Sequence, residues 1–324
     1  MQALYRVIAL VVCVAAAMSA GTPAAQDFPS KPVRMIVPSP AGSPPDLRAR
    51  ELGDRLATLF GRAVFVDNKP GANGAIGMEA GARSEPDGHT LVFSSFTPVT
   101  VTPSMVEHLA YDPVRDFSPV ILVYRFPLLL TAHPGLQAES LSDLIRLAKA
   151  RPGVVLYGSA GNGTPPHVFT ELFKFNTGLD IGHVPYKGGP AVTLALLSGD
   201  VGISLDAPSQ VLSHVRAGKL KPLAVTGEQR IAALPDTPTF SESGVPGIGV
   251  TWTAVLAPAG TPRERILRLN STIGRTLESP ELRAAYEKAG VTPWGGTPED
   301  LARLIAEEIP RWRELVKKAG IRPG

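Results

Sequence analysis

Few residues in this chain are placed to make or break a bond. Its six histidines are scattered over 324 residues with no His-Glu-x-x-His or similar metal spacing. Gly158-Ser159-Ala160-Gly161 lacks the Gly-x-Ser-x-Gly form of a nucleophile elbow. Gly161-x-Gly163 has Pro166 where a dinucleotide fingerprint needs its third glycine. Nucleophile, base and oxyanion donors nowhere form a constellation, so neither an enzyme nor a cofactor or metal is expected. The chain does carry four loops rich in Gly, Ser, Thr and Pro: Pro38–Asp46, Ser94–Thr97, Ser159–Thr164 and Tyr186–Gly189. Glycine lets main-chain N–H groups approach a ligand, and a helix N-terminus favours a negative group. Any one such loop could simply turn the chain. Four on one cleft would form a site that captures an anion without altering it.

Strands and helices must bring those loops together. Pro32–Val37 reads as a buried strand, and Leu52, Leu56, Leu59 and Phe60 then recur at helical spacing from Asp46. Strands follow at Ala63–Val66 and Thr90–Ser94. Alternating strands and helices mark a mostly parallel sheet covered by helices, with ligands beyond the carboxyl ends of its strands. The alternation restarts near Phe126: a Ser140/Asp143 capping box, then strands at Val154–Tyr157, Val201–Leu205 and Leu220–Val225. Beyond Val250 the pattern becomes helical, with a Thr261/Glu264 capping box and Ser279-Pro280 and Thr297-Pro298 starts. These last helices are expected to pack back on the first unit. The chain then crosses twice, near Leu128–Thr131 and Val250–Ala254, and two crossings make a hinge. Trp252, at the second crossing, should sense closure, whereas Trp294 and Trp312 should not. No sequence repeat is visible.

The N-terminus has the form of a secretory signal peptide: Arg6, an apolar run from Val7 to Ala20, then small residues, with cleavage after Ala20 or Ala25. The run is shorter than the ~20 residues a membrane span needs. Cys13, the single cysteine, would leave with it, so the mature chain has no disulfide or thiolate chemistry. A net charge of +3, with interspersed signs, gives no nucleic-acid footprint.

The segment Phe28–Arg50 resembles the opening of the tripartite tricarboxylate transporter substrate-binding proteins, the Bug-type periplasmic receptors, with a Pro-Gly-Gly-x-Thr-Asp-like loop. Val66-Asp67-Asn68-Lys69-Pro70-Gly71-Ala72-Asn73-Gly74, Pro86-Asp87-Gly88-His89-Thr90-Leu91 and Tyr111-Asp112-Pro113-Val114-Arg115-Asp116-Phe117 are similar as well. So are Ser159–His167, Pro185-Tyr186-Lys187-Gly188 and Lys219–Thr226, in order along nearly the whole mature chain. The resemblance implies an α/β periplasmic-binding-protein type II fold, two lobes joined by a two-crossing hinge around a ligand cleft. Residues 1–25 would be the signal peptide, 26–129 plus 251–324 the first lobe and 130–250 the second. It implies an exported, periplasmic monomer that captures a small carboxylate for permease subunits, with a sensor protein as the alternative partner. The candidate ligand-binding residues are Gly42, Ser43, Asp46, Ser95, Thr97, Ser159, Gly163, Thr164, His167 and Asp206. Asp46 and His167 have the rival role of capping helices or orienting loops, and Asp206 that of ending its strand.

The chain also departs from the family pattern. Ser43 stands where a second Gly is usual, Pro45 where Thr precedes the Asp, and the second loop continues Thr97-Pro98-Val99-Thr100. Pro44 and Pro45 lack N–H donors. The expected ligand is therefore a simple carboxylate held weakly, or a larger, less charged acid whose apolar part fills the cleft near Phe96.

Overall fold

The structure, a computed structural model, describes residues 28–321. Residues 1–25, expected from the sequence to be a signal peptide, lie outside the described residues. In chain order the first elements are β1 (Val33–Val37), α1 (Pro44–Phe60), β2 (Val64–Asn68), α2 (Ala75–Ala82), β3 (Thr90–Ser95), α3 (Thr102–Met105) and β4 (Phe117–Phe126). Next come β5 (Leu129–Ala132), α4 (Leu141–Ala150), β6 (Leu156–Ser159), α5 (Pro165–Thr177), β7 (Gly182–Pro185), α6 (Gly189–Ser198), β8 (Ile203–Asp206), α7 (Pro208–Arg216) and β9 (Lys221–Val225). The chain ends with β10 (Thr251–Pro258), α8 (Arg263–Glu278), α9 (Pro280–Lys288), β11 (Thr292–Gly295) and α10 (Pro298–Ala319).

Two mixed sheets result, one per lobe, in the orders β11-β4-β10-β3-β1-β2 and β7-β6-β8-β5-β9. In the first, β1 runs parallel to β2 and β3, while β10 is antiparallel to both β3 and β4. In the second, β6 is parallel to β7 and β8, and β5 is antiparallel to β8 and β9. The sheets are thus mixed where the sequence suggested mostly parallel ones. The expectation of a purely helical end also fails: β10 is the third strand of the first sheet and every one of its residues is buried. A strand covered on both faces needs no polar alternation, and Thr251–Pro258 alternates only over its first four residues before becoming continuously apolar.

The chain passes from β4 into the second sheet within three residues, and returns between β9 and β10. One face of the first sheet packs Val33, Met35 and Val37 against Leu52 and Leu56 of α1 and Leu269 and Ile273 of α8. The other face, with Ile36, Val92 and Ala254, joins a core that continues through Leu130, Tyr157 and Phe169 of the second lobe. Aromatic rings bridge the lobes there. Phe96 and Trp312 lie 5.5 and 5.3 Å from Phe169 on α5, and Trp252 is 6.3 Å from Phe96. Glu308 of α10 accepts hydrogen bonds from both indoles, Trp312 Nε1 at 3.1 Å and Trp252 Nε1 at 3.4 Å. Burial raises the Glu308 pKa against those two bonds. Two expectations are corrected here. Trp312 belongs to the contact between lobes, like Trp252. Phe96 is 1% exposed and closed off by aromatic neighbours, so it offers no apolar floor to a ligand in this conformation.

Of the helix starts read from the sequence as side-chain caps, those of α4, α9 and α10 form and that of α8 does not. Ser140 caps α4 by accepting Asp143 N–H, and Thr297 with Asp300 forms a full capping box on α10. Thr261 instead bonds Pro258 O at 2.7 Å, and Pro262 takes the cap position of α8 without a side-chain bond.

Candidate functional site

The cleft edge of the first lobe is built where β1 gives way to α1. Gly42 sits at φ 77°, in the left-handed region that only glycine enters freely. Its N–H donates to Asp46 Oδ2 at 2.8 Å. Ser43, the N-cap, sends both its N–H (3.2 Å) and its hydroxyl (2.6 Å) to Pro40 O. Asp46 is buried, and its carboxylate also accepts from Arg50 Nε at 3.1 Å and Asn68 Nδ2 at 2.9 Å. Burial alone would raise its pKa, but the Arg50, Gly42 and Asn68 bonds together hold it below the usual carboxylate range. Asp46 therefore organises the loop, the rival role set out for it above.

Two further segments close on this loop. A Cβ on Gly77 would lie 2.8 Å from Pro38 Cα, and one on Gly74 3.0 Å from Pro98 and 3.3 Å from Pro38. The 38–46 loop, the 71–74 turn and the start of the 97–101 turn thus meet at one place. Ser95 ends β3 opposite Thr253. Thr97 follows with its Oγ1 buried and without a partner among the described residues. An unpaired buried hydroxyl costs free energy unless something satisfies it.

In the second lobe the junction from β6 to α5 does the same job. Gly163, at φ 76°, donates its N–H to His167 Nδ1 at 2.9 Å. Thr164, the N-cap, sends N–H (3.3 Å) and hydroxyl (2.6 Å) to Gly161 O. Ser159, fully buried, meets His183 Nε2 at 2.6 Å through its Oγ, which also accepts Gly161 N–H at 3.2 Å. His183 stacks on His167 at 4.1 Å and on Tyr157 at 4.7 Å. Tyr157 donates to Glu171 Oε1 at 2.6 Å, which Lys174 also reaches at 2.7 Å. Burial, with Lys174 nearby, pushes His167 down to about 4; burial and then His167 do the same to His183. Both rings are neutral at physiological pH. Because His167 Nδ1 accepts, its proton sits on Nε2.

Across the cleft, Asn73 Nδ2 donates to Asn162 O at 3.3 Å. A Cβ on Gly163 would come within 2.7 Å of Met105 and 3.1 Å of Asn73. The two lobes therefore meet at the 71–74 turn and the 162–163 peptide. Asp206 ends β8, and strand alternation places it and Ser204 on the sheet face opposite Tyr157 and Ser159. Its Oδ2 accepts the Ser204 hydroxyl, its Oδ1 has no partner among the described residues, and burial pushes its pKa up to about 6. Gly42, Ser43 and Asp46 thus form one cluster, Ser95 and Thr97 adjoin it, and Ser159, Gly163, Thr164 and His167 form a second. No hydrogen bond among the described residues ties Asp206 to either.

Sequence reasoning missed His183, Tyr157, Glu171 and Asn73. His183 matters because it pairs in register with Tyr157, a relation visible only once strands β6 and β7 are aligned. Two surface cavities open elsewhere, about 310 Å³ beside Asn270, Arg283 and Trp294 and about 390 Å³ beside His133 and Gly199. None of the four loops singled out in the sequence lines them.

Two α/β sheets joined by two crossings, with glycine-bearing loops meeting between them, define a two-lobed binding protein of the periplasmic type. Residues 48–321 match the tripartite tricarboxylate transporter family receptor model. The chain is 39% identical to BugT of Bordetella pertussis over 319 residues, 97% of this chain and 98% of that protein. An R. palustris protein solved with adipate superposes with a TM-score of 0.79 at 36% identity, covering 92% of this chain and all of that one. MatC of Rhodopseudomonas palustris, solved with bound malate, gives 0.75 at 30% identity over 89% of this chain and all of that one. The chain belongs to the tripartite tricarboxylate transporter receptor family, a family of binding proteins and not of enzymes.

Proposed function

We propose that this protein captures a small carboxylate between lobes 26–129 with 251–324 and 130–250, and delivers it to the membrane subunits of a tripartite tricarboxylate transporter. Export through the 1–25 signal segment would place it in the periplasm. The observation that carries this reading is the Asn73–Asn162 contact between the lobes, where the 71–74 turn, itself packed on Pro38 at the start of the first loop, meets the loop that opens α5. Helix N-termini favour an anion through their free N–H groups and aligned dipoles. After the paired prolines, Asp46 and His167 supply the first main-chain N–H of each helix, and Thr97 keeps a buried hydroxyl without a partner among the described residues. Adipate and malate, bound in relatives, set the size of ligand to expect. A thermal-shift screen with mono-, di- and tricarboxylates tests the reading, because a ligand that binds only the native state raises its midpoint. No shift with any acid at millimolar concentration would sink it.

A further inference from the structure

Residues 42–46 read Gly-Ser-Pro-Pro-Asp and residues 163–167 read Gly-Thr-Pro-Pro-His. The likeness is too short to register as a repeat in the sequence, yet the backbones coincide. The glycines lie at φ 77° and 76°, and the N-caps at φ −71°, ψ 159° and φ −69°, ψ 158°. Each N-cap bonds the carbonyl three residues back with both N–H and hydroxyl, and each hydroxyl does so at 2.6 Å. In both, the glycine N–H is claimed four residues on by a side chain, at 2.8 Å by Asp46 and 2.9 Å by His167. Prolines fill the first two helical positions of both helices.

The two acceptors have nothing else in common. Asp46 is an ionised carboxylate held against Arg50, whereas His167 is a neutral imidazole stacked on His183. What the two lobes share is a buried acceptor atom at the same point of the turn. A left-handed glycine is free to leave that conformation unless its amide is held, because no Cβ confines it. An amide with no acceptor would turn toward solvent or ligand.

We propose that Asp46 and His167 are equivalent positioning residues, one per lobe, each fastening the amide of a left-handed glycine so that the cleft-facing turn keeps its shape before ligand arrives. The ligand meets the outer face of the turns, and the acceptor atom matters rather than its charge. This rests on the reading of the cleft as the carboxylate site.

The test compares acceptor-retaining with acceptor-lacking variants: His167→Asn with His167→Phe, and Asp46→Asn with Asp46→Leu. Amide hydrogen exchange at Gly163 and Gly42 is read first, without ligand. The wild type and both Asn variants should protect the local glycine, and the Phe and Leu variants should expose it by at least about tenfold. Equal protection in His167→Phe, or none in the wild type, overturns the proposal. Calorimetry with adipate and malate follows. Phe and Leu should weaken binding about tenfold or more, while Asn stays within about threefold. If Asn weakens it as much as Phe, the side chain itself touches the ligand and the proposal falls. If neither acid binds the wild type, the carboxylate reading fails, while the exchange result still decides the role of these residues. Should His167→Phe not fold, the nitrogen spectrum of wild-type imidazoles decides: His167 must carry its proton on Nε2, and a proton on Nδ1 refutes the proposal.

Discussion

The two lobes solve one problem with different electrostatics. In the first, the buried acceptor is a carboxylate, compensated by Arg50 and Asn68 and held ionised. In the second, it is an imidazole, kept neutral by burial and supported by the stack on His183 and Tyr157. The same contrast recurs in their buried acids, since Asp46 is fully bonded and Asp206 keeps one oxygen without a partner. Backbone geometry is therefore more tightly constrained than charge. The lobes should differ in how they respond to pH and in which substitutions they accept.

The largest expected effect tests whether the lobes are separable at all. Phe169→Ala removes the second-lobe ring from the bridge to Phe96 and Trp312, and such truncations cost about 3–5 kcal/mol. Because the core is continuous, urea unfolding should shift as one transition. Two transitions with only one displaced would show that the lobes fold independently.

Next in size are the two buried aspartates, which should respond oppositely to Asn. Asp206 has a raised pKa, so the native state holds its proton to about pH 6 while the unfolded chain releases it near 3.8. Stability is lost as pH rises through that window, and Asp206→Asn should recover about 2–3 kcal/mol at pH 7.5 and almost none near pH 4. Asp46 has a lowered pKa, and its contribution is present above 3.8 and lost as pH falls through the folded value. Asp46→Asn should therefore destabilise at pH 7.5, by about 1–2 kcal/mol. Equal signs from denaturant curves of the two variants would erase the distinction between the lobes.

Histidine titration has little effect at neutral pH and acts only in acid. With native pKa values near 4, His167 and His183 stay neutral while the unfolded chain takes up protons below about 6.5. Their contribution to stability falls as pH drops from 6.5 to 4. Asp206 opposes that trend, so the Asp206→Asn background isolates it, and adding His167→Asn should flatten the slope in midpoint-versus-pH scans. An unchanged slope would mean that His167 does not titrate as its burial requires.

The smallest effect concerns donors. Pro45→Thr restores one N–H and one hydroxyl at the start of α1, and should tighten malate or adipate binding by about tenfold or less in calorimetry. If affinity stays flat in a folded variant, the first lobe's helix end is not where the carboxylate sits.

Much of this architecture could be read from residue patterns. The strands at Val33–Val37, Thr90–Ser95 and Lys221–Val225 and the helix at Pro44–Phe60 announce themselves by apolar period and by proline or glycine ends. Strand β10 does not, because residues buried on both faces need no alternation. Composition singled out the loops of the candidate site, but not the bonds inside them. Whether Gly42 and Gly163 offer their N–H groups outward depends on a side chain four residues on, and composition cannot say which way a bond runs. His183 enters the site only through strand pairing, and Trp312 reaches the lobe contact only through helix packing, so neither is a property of its own neighbourhood in the chain.

The paired prolines have a consequence for the rate of capture. With φ fixed at Pro44, Pro45, Pro165 and Pro166, and with the preceding glycines tied down, the two turns have little left to order when a ligand arrives. Encounter then requires only that the lobes be apart far enough to admit the acid. Association should be fast and nearly alike for acids of similar charge, so discrimination among them would appear in how long each remains.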